Sequence, residues 1–303
     1  MGNIIFKADL NSQGTPFQKI VNVGAVPGGE GFLLISDDVT ILFDSGFGCC
    51  GDALVENLKN ELGTRNLDYI LLSHSHYDHA PGSAWCIKQY PNVKVISSYK
   101  SKDVFSRPGA LAVMRKLDAA ASKMYNISSK EDLFENMRVD IPLNDGEHFD
   151  LNGLDMQLIA FPGHTRCSVG FYFPVSKLLL SSETLGVYAG GETVSPAFLT
   201  SYAEGIASVK KALTMEFDHI LIPHFGMIHG DSCKKYIELS LKCCHLMWDV
   251  VTDGISKGKT HDELIEILKK YFFTEEKRII QPEEAFVLNA GIIIDIIKKE
   301  YNK

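Results

Sequence analysis

The sequence predicts a mixed α/β body followed by an all-helical carboxyl-terminal extension. Three observations lead there. Short apolar runs bounded by turn residues recur between Gly31 and Pro223 of the 303-residue chain. A more polar stretch with helical spacing interrupts them at residues 99–137. After Gly230 only helical periodicity remains.

Gly31–Ser36 and Val39–Asp44 are apolar runs joined by Asp37-Asp38, a hairpin signal. Asp52–Leu62 carries Leu54, Leu58 and Leu62 at helical spacing. Tyr69–Ser73 reads as a buried strand, Gly82–Tyr90 as a helix and Val93–Ser97 as a strand. Between Tyr99 and Met137, Leu111, Met114, Leu117 and Ala121 follow one another at intervals of three and four, which predicts a helical insertion between two sheet halves. Strands resume at Met156–Phe161, Val169–Phe173 and Lys177–Ser181. Ser201–Met215 reads as a helix and His219–Pro223 as one more strand. In the extension, Ser232–Ile255 is one long helical pattern. Thr260 and Glu263 form a capping box ahead of Leu264, Ile267, Leu268 and Tyr271. Pro282 suits the first turn of a last helix that runs to about Lys299. The expected division is a catalytic body over 1–230 and a helical extension over 231–303 that caps it.

Composition narrows the class. With 45% hydrophobic and 22% charged residues the chain is globular. Lys and Arg number 30 against 38 Asp and Glu, a net charge of -8, which repels polyanions and argues against nucleic acid as a partner. Met1–Phe17 has no apolar core of signal-peptide length, and no run of about 18 apolar residues marks a membrane span. The seven cysteines include two adjacent pairs and no Cys-x-x-Cys, so neither a disulfide framework nor a zinc-finger knot is expected. Reduced thiols in a cytoplasm are the simplest reading.

The sharpest chemical signal is Ser73-His74-Ser75-His76-Tyr77-Asp78-His79 at the end of a buried strand. A lone histidine is ordinarily a core or surface residue. Three histidines and an aspartate within six residues are different, because crowded imidazoles repel when charged and need partners when buried. Metal ions answer both needs. His74 and His76 stand two apart, so extended backbone sends them to the same side.

His74-x-His76-x-Asp78-His79 after an apolar strand resembles the signature of the metallo-β-lactamase superfamily. Phe43-Asp44-Ser45-Gly46 resembles that family's early Asp-x-Gly strand end, and Phe161-Pro162-Gly163-His164-Thr165 its Gly-His-Thr loop. Leu180-Ser181-Ser182-Glu183-Thr184 stands where the family has a strand ending in a bridging aspartate. Ile222-Pro223-His224-Phe225-Gly226 is similar to its late histidine loop. The resemblance implies an αββα sandwich and two divalent metal ions, Zn first, with Fe or Mn as alternatives. It implies one ion on His74, His76 and His164, a second on Asp78, His79 and His224, and Glu183 bridging. Glutamate is one methylene longer than the family's aspartate, which puts the second ion in question. Asp44 and Thr165 are expected to orient ligands, and Asp78 to handle the proton.

The implied activity is hydrolysis of a small ester-type substrate: a thioester, lactone or ester. No serine-hydrolase elbow, Walker loop or dinucleotide fingerprint competes with it. A small-molecule phosphodiesterase, a mononuclear iron sulfur dioxygenase and a non-catalytic regulator that keeps the metal site are the alternatives. The extension resembles that of the superfamily branch containing the quinolone-signal response thioesterase, which implies a closed pocket for a small molecule. Arg107, Tyr188, Phe225 and His229 are the expected pocket side chains. Apolar faces on the extension make a homodimer through its helices the expected assembly, and no membrane partner is expected.

Overall fold

In the computed structural model, which describes Phe6 and residues 9–302, strands β1 (Lys19–Asn22), β2 (Phe32–Ile35) and β3 (Thr40–Phe43) form an antiparallel meander. Part of the segment 1–17, read above for a leader, lies outside the described residues. From β3 the sheet turns parallel through β4 (Tyr69–Leu71), β5 (Lys94–Ser98) and β6 (Ile141–Leu143). Parallel neighbours need crossover connections, and helices supply them. Helix α1 (Gly51–Leu62) joins β3 to β4, and α2 (Ser83–Gln89) lies between β4 and β5. Every residue of β3 is buried, as befits a strand covered on both faces.

The helical insertion is present as α3 (Tyr99–Phe105) and α4 (Pro108–Tyr125). Its setting differs from expectation. It does not separate two sheet halves but carries the chain from β5 to its parallel neighbour β6 inside one sheet. The short run Ile141-Pro142-Leu143 escaped notice because proline weakens a strand signal. Next come β7 (His148–Leu151), β8 (Leu154–Ala160), β9 (Val169–Phe173) and β10 (Leu178–Leu180), paired antiparallel in sequence order.

The chain divides into two compact units. Leu10–Ala160 with Val169–Leu180 make one, which holds β1–β10 and α1–α4. Phe161–Ser168 and Ser181–Lys303, with the start of the chain, make the other. The first has a core of Leu33, Leu42, Leu54, Leu58, Ile70 and Val95, all essentially inaccessible.

The second unit contains a two-stranded ribbon of β11 (Val187–Tyr188) and β12 (Val194–Ser195), helix α5 (Tyr202–Leu213), and a hairpin of β13 (His219–Ile222) and β14 (Gly226–His229). Four helices follow: α6 (Asp231–Ser256), α7 (His261–Phe272), α8 (Glu275–Ile280) and α9 (Glu283–Tyr301). The expected capping box is formed: the Thr260 hydroxyl accepts from the Glu263 N–H, and the Glu263 carboxylate accepts from the Thr260 N–H. Pro282 sits at the N-cap of α9. All seven cysteines are buried free thiols, and no described helix is long and apolar enough to cross a membrane.

Candidate metal centre

Two sets of metal-ligating side chains are assembled, one in each compact unit. The first leaves the end of β4. The Leu72 N–H donates to the Ile96 carbonyl at 3.0 Å, so the chain emerges from the sheet in a fixed direction. His74 and His76 follow with ring centroids 4.6 Å apart, and the His79 ring lies 4.2 Å from that of His74. His74 and His76 bring ligand nitrogens within 4.8 Å of one another, and Asp78 and His79 do the same with an oxygen and a nitrogen. His74 and His79 are buried, whereas His76 and Asp78 are half-buried. The loop is pinned from β3: the Ser45 N–H and hydroxyl donate to the His79 carbonyl at 2.7 and 2.9 Å.

Asp44 underlies this set. One carboxylate oxygen accepts from the Ser73 N–H at 2.8 Å. The other accepts from the Ser73 hydroxyl at 2.8 Å and lies 2.8 Å from His79 Nδ1. Ser73 Oγ in turn sits 2.9 Å from His74 Nδ1. Both imidazoles are therefore held at Nδ1, which leaves Nε2 as the atom that could ligate a metal. Asp44 takes a positive φ of 54°, sparsely populated for side-chain-bearing residues. Such strain persists where the surroundings over-determine it, as three hydrogen bonds do here.

The second set comprises His164, Glu183 and His224. His164 stands on the loop after Phe161. Its N–H donates to Thr184 Oγ1 at 3.2 Å, and its Nδ1 lies 2.5 Å from the Ala197 carbonyl. Gly163 must be glycine: its φ is 136°, and an added Cβ would lie 2.5 Å from Gly205 Cα. Glu183 opens a short 3₁₀ turn whose N-cap is Ser182. His224, at φ 59°, is the middle residue of the β13–β14 turn. The Glu183 carboxylate receives both rings, Oε2 at 2.7 Å from His164 Nε2 and Oε1 at 2.8 Å from His224 Nε2.

That arrangement tests whether divalent metal fits. A carbonyl accepts only from a proton, so His164 Nδ1 carries one, and its Nε2 presents a lone pair toward a carboxylate oxygen unless positive charge intervenes. Protonated imidazoles or divalent cations supply that charge. Imidazole and carboxylate donors with Nδ1 anchored by a carbonyl, a carboxylate or a hydroxyl suit zinc, iron or manganese. The residues present fit such ions.

His164 and Glu183 also line a pocket of about 460 Å³ outside protein atoms, part of it open to solvent. Its remaining walls come from β11, β12 and the residues after it, α6, α7, α8 and α9. Arg107, Tyr188, Phe225 and His229 do not line this cavity. Arg107 is exposed and ion-paired with Asp103. Tyr188 is buried and packs edge-on against Phe225, centroids 4.7 Å apart. His229 Nε2 lies 2.9 Å from Asp9 Oδ1, and its Nδ1 2.8 Å from His219 Nδ1. Thr165 Oγ1 bonds Ser168 Oγ at 2.7 Å, closing its own loop. The groups that orient His164 are instead Thr184 and the Ala197 carbonyl, which sequence reasoning missed. A backbone carbonyl has no residue-type signature, so nothing in the sequence flags Ala197.

The model of the metallo-beta-lactamase superfamily matches residues 31–224, more than half of the chain. Metallo-beta-lactamase fold-containing protein ST1585 of Sulfurisphaera tokodaii is 22% identical over 243 residues, covering 78% of this chain and 87% of its own. Hydroxyacylglutathione hydrolase GloC of Haemophilus influenzae is 28% identical over 165 residues, 53% of this chain and 69% of its own. Among solved structures, metallo-beta-lactamase family protein TTHA1429 from Thermus thermophilus matches with a TM-score of 0.62 at 18% identity, covering 93% of this chain and 94% of that one. At that identity the likeness speaks to the fold. The chain belongs to the metallo-β-lactamase superfamily, and its α/β metallo-β-lactamase fold runs on into a helical carboxyl-terminal extension.

Proposed function

We propose that the protein is a metal-dependent hydrolase of a small ester-type substrate: a thioester, lactone or ester. The observation that carries this reading is the second donor set, where one buried carboxylate lies 2.7 and 2.8 Å from two imidazole Nε2 atoms, one of them on His164, whose Nδ1 faces the Ala197 carbonyl. In this reading His74, His76 and His164 hold one ion, Asp78, His79 and His224 hold another, and Glu183 spans both. Its two oxygens already face different histidines, which is what a bridging carboxylate needs. Kinship with hydroxyacylglutathione hydrolase GloC, named for hydrolysis of a thioester, supports the substrate class.

Bound divalent ions supply Lewis acidity toward the carbonyl and bring the pKa of water to near 7. The chain's own residues do the rest. Ser73, Asp44 and Ala197 fix the imidazoles, so no reorganisation is needed during reaction. Half-buried Asp78 holds the proton released by the attacking water and delivers it to the departing thiolate or alkoxide. The new bond joins water oxygen to the acyl carbon, the C–S or C–O bond breaks, and acid and thiol or alcohol leave.

The test begins with elemental mass spectrometry on protein purified without chelator, where about two ions per chain are expected. Thioesters, lactones and esters are then screened. His76→Ala should lose an ion and the activity together. A single iron per chain would move the assignment to a sulfur dioxygenase, and no metal after reconstitution would leave a regulator on an enzyme scaffold.

A further inference from the structure

A second histidine pair stands on the β13–β14 hairpin, at the end away from its turn. His219 and His229 are directly opposed in the register, three positions from the Ile222–Gly226 pair that closes the turn bearing His224. At about 3.4 Å per residue, the pair lies roughly 10 Å along the strands from that turn. Opposed residues of an antiparallel pair send their side chains to one face. Here the two Nδ1 atoms meet at 2.8 Å, the ring centroids are 5.0 Å apart, and both residues are half-buried.

The other nitrogen of His229 is held by a carboxylate. His229 Nε2 lies 2.9 Å from Asp9 Oδ1, and the Asp9 carbonyl accepts from the Met227 N–H at 2.9 Å, which keeps Asp9 beside β14. An ionised carboxylate only accepts, so His229 Nε2 carries a proton and the neutral ring presents its lone pair at Nδ1. Metal-ligating histidines share this arrangement: the far nitrogen donates to a carboxylate, which fixes the tautomer and raises the basicity of the near one. Two ligands about 2.0 Å from one ion stand about 2.8 Å apart at right angles and about 3.3 Å apart in a tetrahedron, close to the separation of these two nitrogens.

We propose that His219 and His229 bind one divalent transition-metal ion of the kind imidazole favours, zinc or copper, with Asp9 as the positioning carboxylate and water completing the shell. The ion takes the place of a proton between the two Nδ1 atoms and fastens Asp9 to β14. The proposal is independent of the hydrolase reading, because none of its residues belongs to the candidate metal centre.

The test follows zinc uptake by the full chain in equilibrium dialysis against buffered free zinc, with elemental mass spectrometry of the protein. At the plateau wild type should carry one ion per chain more than His219→Gln or His229→Gln, whatever the candidate metal centre holds. Asp9→Asn should weaken that ion by about 10–100-fold, the usual cost of losing such a carboxylate. Nuclear magnetic resonance of histidine-labelled protein adds a direct readout. Zinc should shift the Nδ1 resonances of His219 and His229 while His229 Nε2 keeps its proton. Superposable zinc isotherms for wild type and both variants overturn the proposal and leave only a shared proton between the rings. Should either variant melt below wild type in the presence of chelator, the resonances of wild type alone decide, and Nδ1 signals that zinc does not move overturn it.

Discussion

At the scale of single residues, Asp44 does more than any ligand. Its carboxylate takes the Ser73 N–H, the Ser73 hydroxyl and the His79 ring nitrogen, each at 2.8 Å. Asparagine tolerates the positive φ of 54° better than most residues, so Asp44→Asn isolates the lost charge and acceptor capacity from backbone strain. One amide NH₂ must then face a donor, and His79 loses the partner that holds its Nδ1. Metal affinity should fall by 10–100-fold, the ordinary cost of losing such an outer partner, as read by chelator competition. An unchanged affinity would mean that Asp44 serves the fold alone. The motif from His74 to His79 was legible in the sequence because its chemistry is compressed into six residues. Thr184 and Ala197 were not, because their roles come from what the chain folds against.

At the scale of elements, the long helices and the central strands were readable, and short or edge strands were not. β4, β8, β9 and β13 are apolar runs with clear breaks, and α7 announces itself by its capping box. β1, β7, β11 and β12 are two to four residues long and mixed in polarity, and their identity depends on the neighbour that pairs with them. Helix α4 carries a feature that periodicity hides. Asp118 is buried on its inner face and accepts the Cys49 N–H at 3.0 Å. Burial raises its pKa above the ordinary carboxylate value, only partly offset by backbone hydrogen bonds. A folded-state value above the unfolded one contributes stability that is full at low pH and lost as pH rises through the folded value. Asp118→Asn keeps an oxygen acceptor and cannot ionise. Its urea midpoint should therefore gain on wild type between pH 4 and pH 7. A gap that stays constant over that range would show that Asp118 does not titrate differently in the folded protein.

At the scale of the whole molecule, the proposed ligands are drawn from positions 74–79, 164, 183 and 224, so metal binding ties distant segments of one chain. The unfolded chain cannot hold those donors together, and binding free energy becomes folding free energy. Free metal at about 100 times its dissociation constant adds about 2.7 kcal/mol. Removing metal with a chelator should lower the melting temperature, and restoring zinc should recover it. Coordination needs neutral imidazoles and ionised carboxylates, so binding releases protons and weakens as pH falls. The zinc-dependent gain in melting temperature should accordingly shrink from pH 7.5 to pH 5.5. The curves of the zinc-loaded and metal-free protein should therefore converge on acidification. Parallel curves would mean that the histidines do not exchange protons for metal, and the reading of these seven residues as one metal centre would fall with that result.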